Sequence, residues 1–422
     1  MKKETGFAQT FFVAIVGLCL LLVSADGEAI DRRRDQFQTE SGYYVFPFPY
    51  SLPGVGDGVA LLGVVPNVSE THADIFGYVL QGDLKGVGVT ASDIHLVDRH
   101  LIMDVSGSSF NKVSLQAYNT RGISGDKDDY LIMEMDDNDF FGSRLTATWL
   151  DRMFEFYLMG YTGYWQLSAI RDKDGELIQA TDSADREDFQ AYAAGSRIDY
   201  TDDYLNPRVG LRFDLTARHS PRREDYAPDQ FAMQYNFTGY YPFRRWDTLV
   251  FNYYQADAHV RKEGETDPLA VQGIMGLDCT LGTADQQADC LKLVDNVVAG
   301  NKYGTVDGLG GTSRLRSYPM GRYNAAHTQF AGIEYRWNLT DESTPFDIFI
   351  AKDVRSALQL AFFYEIGTVA DRRRDLGEKM RHSYGIGGRL VTESGMVIRA
   401  DVAHGREGLG VTIIAGFPWE SF

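Results

Sequence analysis

The sequence predicts an all-β fold, a transmembrane antiparallel β-barrel of about sixteen strands. Three observations support this prediction. Apolar and polar residues alternate with a period of two along most of the chain, which places successive side chains on opposite faces of a strand. The alternating stretches are about ten residues long, which is the length that crosses a bilayer at a tilt. Their polar faces carry arginine and aspartate at mid-strand, which a wet lumen tolerates but a dry core does not.

The N-terminus has the pattern of a secretory signal peptide. Two lysines precede an apolar run, residues 11–23, and small residues follow it. The run is shorter than the ~20 residues of a membrane-spanning helix, so we expect cleavage, after Ala25 or Ala29. The predicted parts are a signal peptide (1–25), a periplasmic N-terminal segment (26–56) and an outer-membrane β-barrel (57–422). The predicted location is the bacterial outer membrane.

The clearest strand covers residues 208–218. Val209, Leu211, Phe213 and Leu215 lie on one face, and the other face has no large apolar side chain. About eleven or twelve candidate strands precede residue 258 and about five follow residue 325, so sixteen is the nearest even total for a bacterial barrel. Residues 87–105 fit either one strand or two. Because unpaired backbone groups are costly in lipid, these strands must close into a ring.

Composition and motifs exclude several function classes. The formal net charge of −18 argues against a nucleic-acid partner, because phosphate binding needs a basic surface. The sequence contains no Gly-x-Ser-x-Gly elbow, no His-Glu-x-x-His helix and no paired-cysteine metal site. We therefore predict no enzymatic activity, no metal site and no cofactor. A lipase or protease assembled from isolated histidines is the weaker alternative.

The longest stretch without alternation, residues 259–325, predicts a long extracellular loop. Loops of such length are usually either functional or disordered. This loop contains Cys279 and Cys290, the two cysteines that remain after signal cleavage, and an even pair in an exported protein suggests a disulfide. Two unpaired thiols are the alternative, because a sequence does not show whether the Cβ atoms come within bonding distance.

A distinctive motif ends this loop. It consists of Leu315, Arg316, Ser317, Tyr318, Pro319, Met320, Gly321, Arg322 and Tyr323. The motif resembles the characteristic loop motif of the outer-membrane assembly-factor superfamily, or bacterial surface antigens, which includes the BamA and TamA type barrels. The final strands, in stretches such as 332–336, 363–367 and 397–401, resemble those of the family as well. Ser317 stands where the family has glycine, and Glu365 stands where aspartate is usual.

The resemblance implies a barrel with this loop folded into its lumen. It also implies a role in the insertion or translocation of proteins, or of lipids, at the outer membrane. Too few residues precede the first predicted strand for a periplasmic POTRA module, so the chain resembles a short, barrel-only member. The implied partners are outer-membrane lipid, a substrate outer-membrane or secreted protein, and a second barrel copy or periplasmic partner protein. A passive, porin-like diffusion channel is the alternative function.

Arg316 is the predicted centre of the site. A buried arginine needs an acidic partner, and alternation places Glu334 and Glu365 on inward faces. We expect one or both to pair with Arg316 and to hold the loop as a plug. The alternative is an exposed arginine in a mobile loop.

The resemblance also assigns roles to the barrel ends. Phe417 belongs to the implied C-terminal strand signal, whose closing aromatic residue is either Trp419 or Phe422. Barrels of this type are thought to open between their first and last strands, here predicted at 58–65 and 408–419. Gly408 and Gly410 would weaken pairing there.

Overall fold

The alternating sequence forms strands over most of the chain. The computed structural model describes residues 36–37, 39, 41–180, 186–222, 226–244, 247–340, 345–348, 351–392 and 396–420. The predicted signal peptide and Phe422 lie outside these ranges. The strands are β1 (Tyr44–Leu52), β2 (Gly56–Val65), β3 (Asp74–Gly82), β4 (Lys85–Val97), β5 (Leu101–Tyr118), β6 (Tyr130–Trp149), β7 (Phe154–Arg171), β8 (Leu177–Ala180), β9 (Glu187–Thr201), β10 (Gly210–Ser220), β11 (Asp229–Phe243), β12 (Asp247–Lys262), β13 (His327–Asn338), β14 (Pro345–Ile348), β15 (Ala351–Ala370), β16 (Arg381–Thr392), β17 (Val397–Gly405) and β18 (Gly408–Ala415).

Sixteen of these strands close into one antiparallel ring, as predicted. Each pairs with its neighbours in the chain, and β18 meets β1 to complete the circle. The short strands β8 and β14 lie outside the ring count, because β7 pairs directly with β9 and β13 pairs directly with β15. In the described residues, β8 adds to β7 and β14 adds to β15. Closure leaves no free sheet edge, which is the condition for strands to cross a bilayer.

The two faces of the wall differ in polarity, which confirms the membrane-spanning interpretation. Leu61, Phe156 and Leu158 project outward and are 50%, 59% and 63% exposed. Arg197 and Asp214 project inward, are buried, and form an ion pair of 2.6 Å. An apolar exterior around a charged interior is the arrangement of an outer-membrane barrel.

The two rims differ in the length of their connections. One rim carries the long ones, residues 119–129, 172–186, 221–228, 263–326 and 371–380, and the other carries mostly short turns. Outer-membrane barrels have long extracellular loops and short periplasmic turns. We therefore assign the long-loop rim to the outside, so that β1 begins and β18 ends at the periplasmic rim.

The barrel begins at β1, earlier than the predicted boundary at residue 57. Phe46, Phe48 and Tyr50 alternate inward along this strand and are buried. Pro47 and Pro49 interrupt this stretch, and proline is unusual in a strand that is paired on both sides. The ambiguous region 87–105 is divided between two strands, β4 and β5, joined by a tight turn.

The long loop contains two helices, α1 (Pro268–Ile274) and α2 (Ala284–Tyr303). Asp267 caps α1, and Thr283 caps α2 in a capping box with Gln286. Cys279 and Cys290 are joined in a disulfide with Cα atoms 5.4 Å apart. The helices pack on the extracellular ends of β5 to β8 through a buried apolar cluster that includes Leu131, Leu167, Ile170, Val271, Leu293 and Val294. In the described part of the chain, no helix has the length and apolar character needed to span a membrane.

Candidate functional site

The loop motif lies inside the barrel. Between α2 and β13 the chain turns back into the lumen, and within the motif itself two residues have a left-handed backbone, Leu315 with φ 54° and Gly321 with φ 69°. Ser317, at the family's glycine position, has a φ outside that region, and its N–H donates to Ser383 Oγ at 3.1 Å. The fully buried side chains of the motif are those of Leu315, Arg316, Tyr318 and Tyr323, and Arg322 is 1% exposed.

Arg316 is the centre of the site. Its backbone N–H and its Nε each donate to one carboxylate oxygen of Glu365, both at 2.9 Å. Its Nη atoms donate to Asp401 at 2.9 Å and to Glu334 at 3.3 Å. All four side chains are completely or almost completely buried. The structure thus brings Arg316 to both predicted carboxylates and adds a third, Asp401.

Three further arginines share these carboxylates. Glu334 accepts from Arg336 Nε at 3.0 Å and from both Nη atoms of Arg389. Asp401 accepts from Arg399. We call this set the lumen network: Arg316, Arg336, Arg389, Arg399, Glu334, Glu365 and Asp401. Because buried charges are tolerable only when paired and hydrogen-bonded, the network holds the loop arginine in place.

The carboxylates determine the charge state of Arg316. Burial opposes a charged guanidinium, but Glu365, Asp401 and Glu334 together favour it more strongly and raise the pKa of Arg316. This loop residue therefore stays charged under all physiological conditions. The loop is held by a permanent cation and not by a titrating group.

Aromatic rings cover the guanidinium. Its Cζ lies 3.4 Å from the ring centre of Phe363 and 5.5 Å from that of Trp419, distances at which a cation is attracted to a ring face. Trp419 Nε1 also donates to Glu365 Oε1 at 2.9 Å. The rings exclude water from the network, which strengthens its electrostatic contacts.

A glycine on the last strand makes room for the motif. A Cβ on Gly410 would lie 2.8 Å from the carbonyl oxygen of Arg316 and 3.0 Å from the Cα of Ser317. Gly410 therefore lets the loop backbone run directly along the wall. All eight residues of β18 pair with β17, and the predicted weakening of the junction between the first and last strands by Gly408 and Gly410 stays a prediction.

The motif also connects the extracellular ends of the first and last hairpins. Arg322 donates twice to Glu407, in the β17–β18 turn, at 2.7 and 2.9 Å, and Tyr323 donates to the same carboxylate at 3.0 Å. On the other side, the N–H of Met320 donates to the carbonyl oxygen of Pro53, in the β1–β2 turn, at 2.7 Å. The loop thus bridges the two hairpins that meet where the ring closes.

The β1–β18 junction, here called the seam, is the weak point of the ring. All nine residues of β1 pair with β2, whereas β1 and β18 share a single residue pair, Ser51 with Ile413. Ser51 Oγ adds one hydrogen bond to Val411 O at 3.3 Å. That pair lies near the extracellular end of β1. Within the described residues, the periplasmic part of the seam has no ladder.

Pro47 and Pro49 explain part of this weakness. The β1–β2 ladder is unbroken through both residues, so their nitrogens, which cannot donate, point away from β2 and toward β18. Continuing the register of Ser51 with Ile413 would put Pro49 opposite Ala415, the last residue of β18. β1 therefore lacks two donors on the seam side.

The C-terminal tail leaves the wall instead of extending the last strand. Gly416, with φ 99°, turns the chain inward, and Phe417 and Trp419 are 8% and 1% exposed in the lumen. Trp419 packs over Gly332, where a Cβ would lie 2.5 Å from the indole ring. Phe417 and Trp419 thus lie beyond β18 and face the lumen, and their role in a C-terminal strand signal stays a prediction. Phe422 lies outside the described residues.

Asp401 and the strand arginines were not predicted as partners of the loop, although a signal for them exists. Arg399 and Asp401 alternate with apolar residues along β17, so the sequence places both on the inward face. Nothing in that pattern says which loop residue reaches them. A search for every inward-facing charge on the last six strands would have included them.

Comparison of this chain with known proteins finds similarity only to solved structures, at low sequence identity. No described protein family and no curated protein matches it. Its fold is similar to the solved structure of BamA from Haemophilus ducreyi lacking POTRA domains 1–3, at 11% identity, covering 89% of this chain and 69% of that one, with a TM-score of 0.48. It is also similar to CdiB from Acinetobacter baumannii, at 10% identity, 87% and 59% coverage and a TM-score of 0.47. A further similar structure is OccD3 from Pseudomonas aeruginosa, at 10% identity, covering 91% of this chain and 93% of that one, with a TM-score of 0.36.

TM-scores below 0.5 do not assign a role, which therefore has to be inferred from the residues of this chain. By its own geometry the protein is an outer-membrane β-barrel of sixteen strands, with its loop motif anchored inside the lumen.

Proposed function

We propose that this barrel takes part in the insertion or translocation of proteins at the bacterial outer membrane by opening at its seam. The observation that carries the proposal is the contrast in pairing around the ring. The seam is joined by one residue pair, whereas the ladders on either side of it include every residue of β1 and of β18. In lipid, unpaired backbone N–H and C=O groups are costly, so an open seam presents a strand edge to which an incoming strand can pair.

The position of the single pair gives the opening a direction. Ser51 lies near the extracellular end of β1, whereas Ile413 lies near the periplasmic end of β18, so most of β1 continues toward the periplasm without a partner on its seam side. At the extracellular rim, the motif connects the two hairpins through Pro53 and Glu407. The periplasmic part of the seam, within the described residues, has neither support. A substrate strand arriving from the periplasm therefore reaches the unpaired part first, while the lumen network keeps the rest of the ring together.

The partners follow from this arrangement. Outer-membrane lipid surrounds the apolar wall, and the substrate is an outer-membrane or secreted protein that presents an extended segment to the seam. A periplasmic partner protein or a second copy of the barrel delivers it. No catalytic step is involved, because strand exchange makes and breaks hydrogen bonds and no covalent bond.

Locking the seam tests the proposal. Ser51→Cys with Ile413→Cys places two cysteines on directly paired residues, a separation that suits a disulfide. In a strain depleted of the native protein, we expect the oxidised variant to leave outer-membrane levels of other barrels or surface proteins low. The matched control is Val402→Cys with Val411→Cys, a pair within the full β17–β18 ladder, which should restore those levels.

Two results would count against the proposal. Unchanged levels of all other barrels and surface lipoproteins after depletion would remove the assembly role altogether. Full rescue by the oxidised seam pair would show that the seam stays closed during function.

The alternative function, a passive diffusion channel, has one observation in its favour. A cavity of about 850 Å³ remains in the lumen between the wall of β3 to β11 and the inserted loop. The loop and the tail stand in the way of an open pore, so this alternative predicts large, steady conductance only if both move aside.

A further inference from the structure

A histidine cluster lies at the periplasmic mouth, away from the lumen network and the seam. His72 comes from the β2–β3 loop, His95 from the end of β4, and Asp98 from the β4–β5 turn. Each offers one potential ligand atom, and these three atoms all lie within 4.8 Å of one another. Two imidazoles and a carboxylate are a set that transition metals bind.

The His95 ring is buried with one nitrogen unsatisfied. Its side chain is 7% exposed, and Nε2 has no hydrogen-bond partner among the described residues. Nδ1 lies 3.3 Å from Asp98 Oδ1 and 3.2 Å from the backbone nitrogen of Arg99. Buried polar atoms are normally paired, so the unpaired Nε2 shows that this ring lacks a partner, while Nδ1 is the nitrogen close to the Asp98 carboxylate.

The spacing suits one ion. Zinc binds imidazole nitrogen and carboxylate oxygen at about 2.0–2.2 Å, so two ligands on one tetrahedral ion lie roughly 3.4 Å apart. His95 Nδ1 and Asp98 Oδ1 already meet this separation, so Nδ1 is the ring nitrogen that we assign as the ligand atom. The Asp98 side chain is 82% exposed and can adjust, so closing the site requires only a small approach by His72.

A constrained loop presents His72. Its backbone is left-handed, with φ 66°, and Asn67 Oδ1 accepts its N–H at 2.8 Å. Asn67 Nδ2 donates in turn to the carbonyl oxygen of Thr39 at 2.7 Å. The loop is therefore tied to the segment that precedes the barrel, and its conformation is set before any ligand arrives.

Phe37 of that preceding segment packs on both histidines. Its ring centre lies 5.1 Å from that of His95 and 5.9 Å from that of His72, and the residue is 3% exposed. Arg99 and Arg152 also lie against this ring, at 5.2 and 5.4 Å. Arg152 is paired at 3.0 Å with Asp93, which offsets its charge near the cluster.

We propose that His72, His95 and Asp98 bind one divalent transition-metal ion, with Zn²⁺ as the ion best suited to them. The bound ion clamps the β2–β3 loop to the β4–β5 turn and holds the Phe37 segment between them at the periplasmic mouth. The sequence predicts no metal site, because His72 lies in a loop and His95 on a strand, and no motif links them.

Zinc titration of the full mature chain in detergent tests the site, with a purification tag that contains no histidine. After treatment with a chelator, calorimetry with ZnCl₂ should show one ion per chain with micromolar or tighter affinity. His72→Ala and His95→Ala should each weaken binding at least tenfold, and Asp98→Asn should weaken it less. The matched control is His259→Ala, an exposed histidine on β12, which should bind zinc like the unmodified chain.

A second measurement separates binding from folding. Zinc should raise the melting temperature of the unmodified barrel and of the His259 variant, but not that of the His72 or His95 variants. Without zinc, the circular dichroism spectra of the His72 and His95 variants should match that of the unmodified barrel, which shows that they fold. No saturable binding by the unmodified chain would overturn the proposal. Equal binding by the His95 variant would overturn it as well, because the ion would then be held elsewhere.

Discussion

At the residue scale, Arg316 matters because its removal would leave buried carboxylates without a cation. Three carboxylates converge on it in a region without solvent access. A buried ion pair adds little net stability when it is intact, yet losing one partner leaves an uncompensated charge. Arg316 therefore affects the stability of the barrel mainly through the cost of losing it.

Arg316→Ala should destabilise the barrel by about 3–5 kcal/mol, because three buried carboxylates lose a guanidinium partner at once. Urea unfolding in detergent, followed by tryptophan fluorescence, measures the change. The control is Arg218→Ala, which removes a partly exposed pair with Asp307 and should cost at most about 1 kcal/mol. If the two variants lose the same free energy of unfolding, the ion pairs of Arg316 contribute no more than an ion pair at the surface.

Gly410→Ala tests the close approach of loop and wall. The added methyl meets the Arg316 carbonyl oxygen and the Ser317 Cα, and such overpacking typically costs about 1–3 kcal/mol. The control is Gly388→Ala on β16, where nothing lies within 4 Å of the added Cβ. We expect lower stability and faster proteolysis of the loop in the Gly410 variant alone. If both variants behave alike, the loop does not press against β18.

At the element scale, the seam combines two features of different origin. The prolines of β1 remove donors, which is a property of covalent structure. The short β18 and the inward turn at Gly416 remove the partner strand, which is a property of the tail. Together they leave an edge that a second polypeptide can extend.

Pro49→Val should tighten the seam, because it restores a donor opposite Ala415. We expect slower amide hydrogen exchange in β18, a higher melting temperature and weaker rescue of a depleted strain. The control is Pro242→Val on β11, beyond the end of the β10–β11 ladder. Unchanged exchange in β18 would mean that the missing donor does not limit closure.

At the scale of the whole molecule, two separate segments fill the lumen. The loop enters from the extracellular side and the tail from the periplasmic side, and they meet where Trp419 donates to Glu365 beside Arg316. The loop and the tail therefore plug the lumen of the barrel. The remaining cavity lies on the β3 to β11 side.

Trp419→Ala should open a path through this plug. The indole fills the space above Gly332 and caps the lumen network, so its loss admits water and loosens the loop. In planar bilayers we expect small, irregular currents from the unmodified barrel and conductance several-fold higher from the variant. Large, steady currents from the unmodified barrel would favour the diffusion channel instead.

The sequence by itself determined the fold class. Alternation with period two is a local property of a strand, so it predicted membrane-crossing strands, their inward charges and the ring of sixteen. It also marked Arg316, Glu334 and Glu365, because a loop arginine and inward carboxylates can be read without knowing which strands are neighbours. The sequence likewise identified the cysteine pair.

Only the tertiary structure decided which of these residues meet. The start of the barrel at Tyr44, the third carboxylate of Asp401, the inward turn of the tail and the His72–His95 cluster each depend on chain segments far apart in sequence. Such contacts result from how the ring closes and what its lumen must contain, and no local period encodes that. The physical reason is that closure is a property of the whole sheet, whereas alternation is a property of each strand.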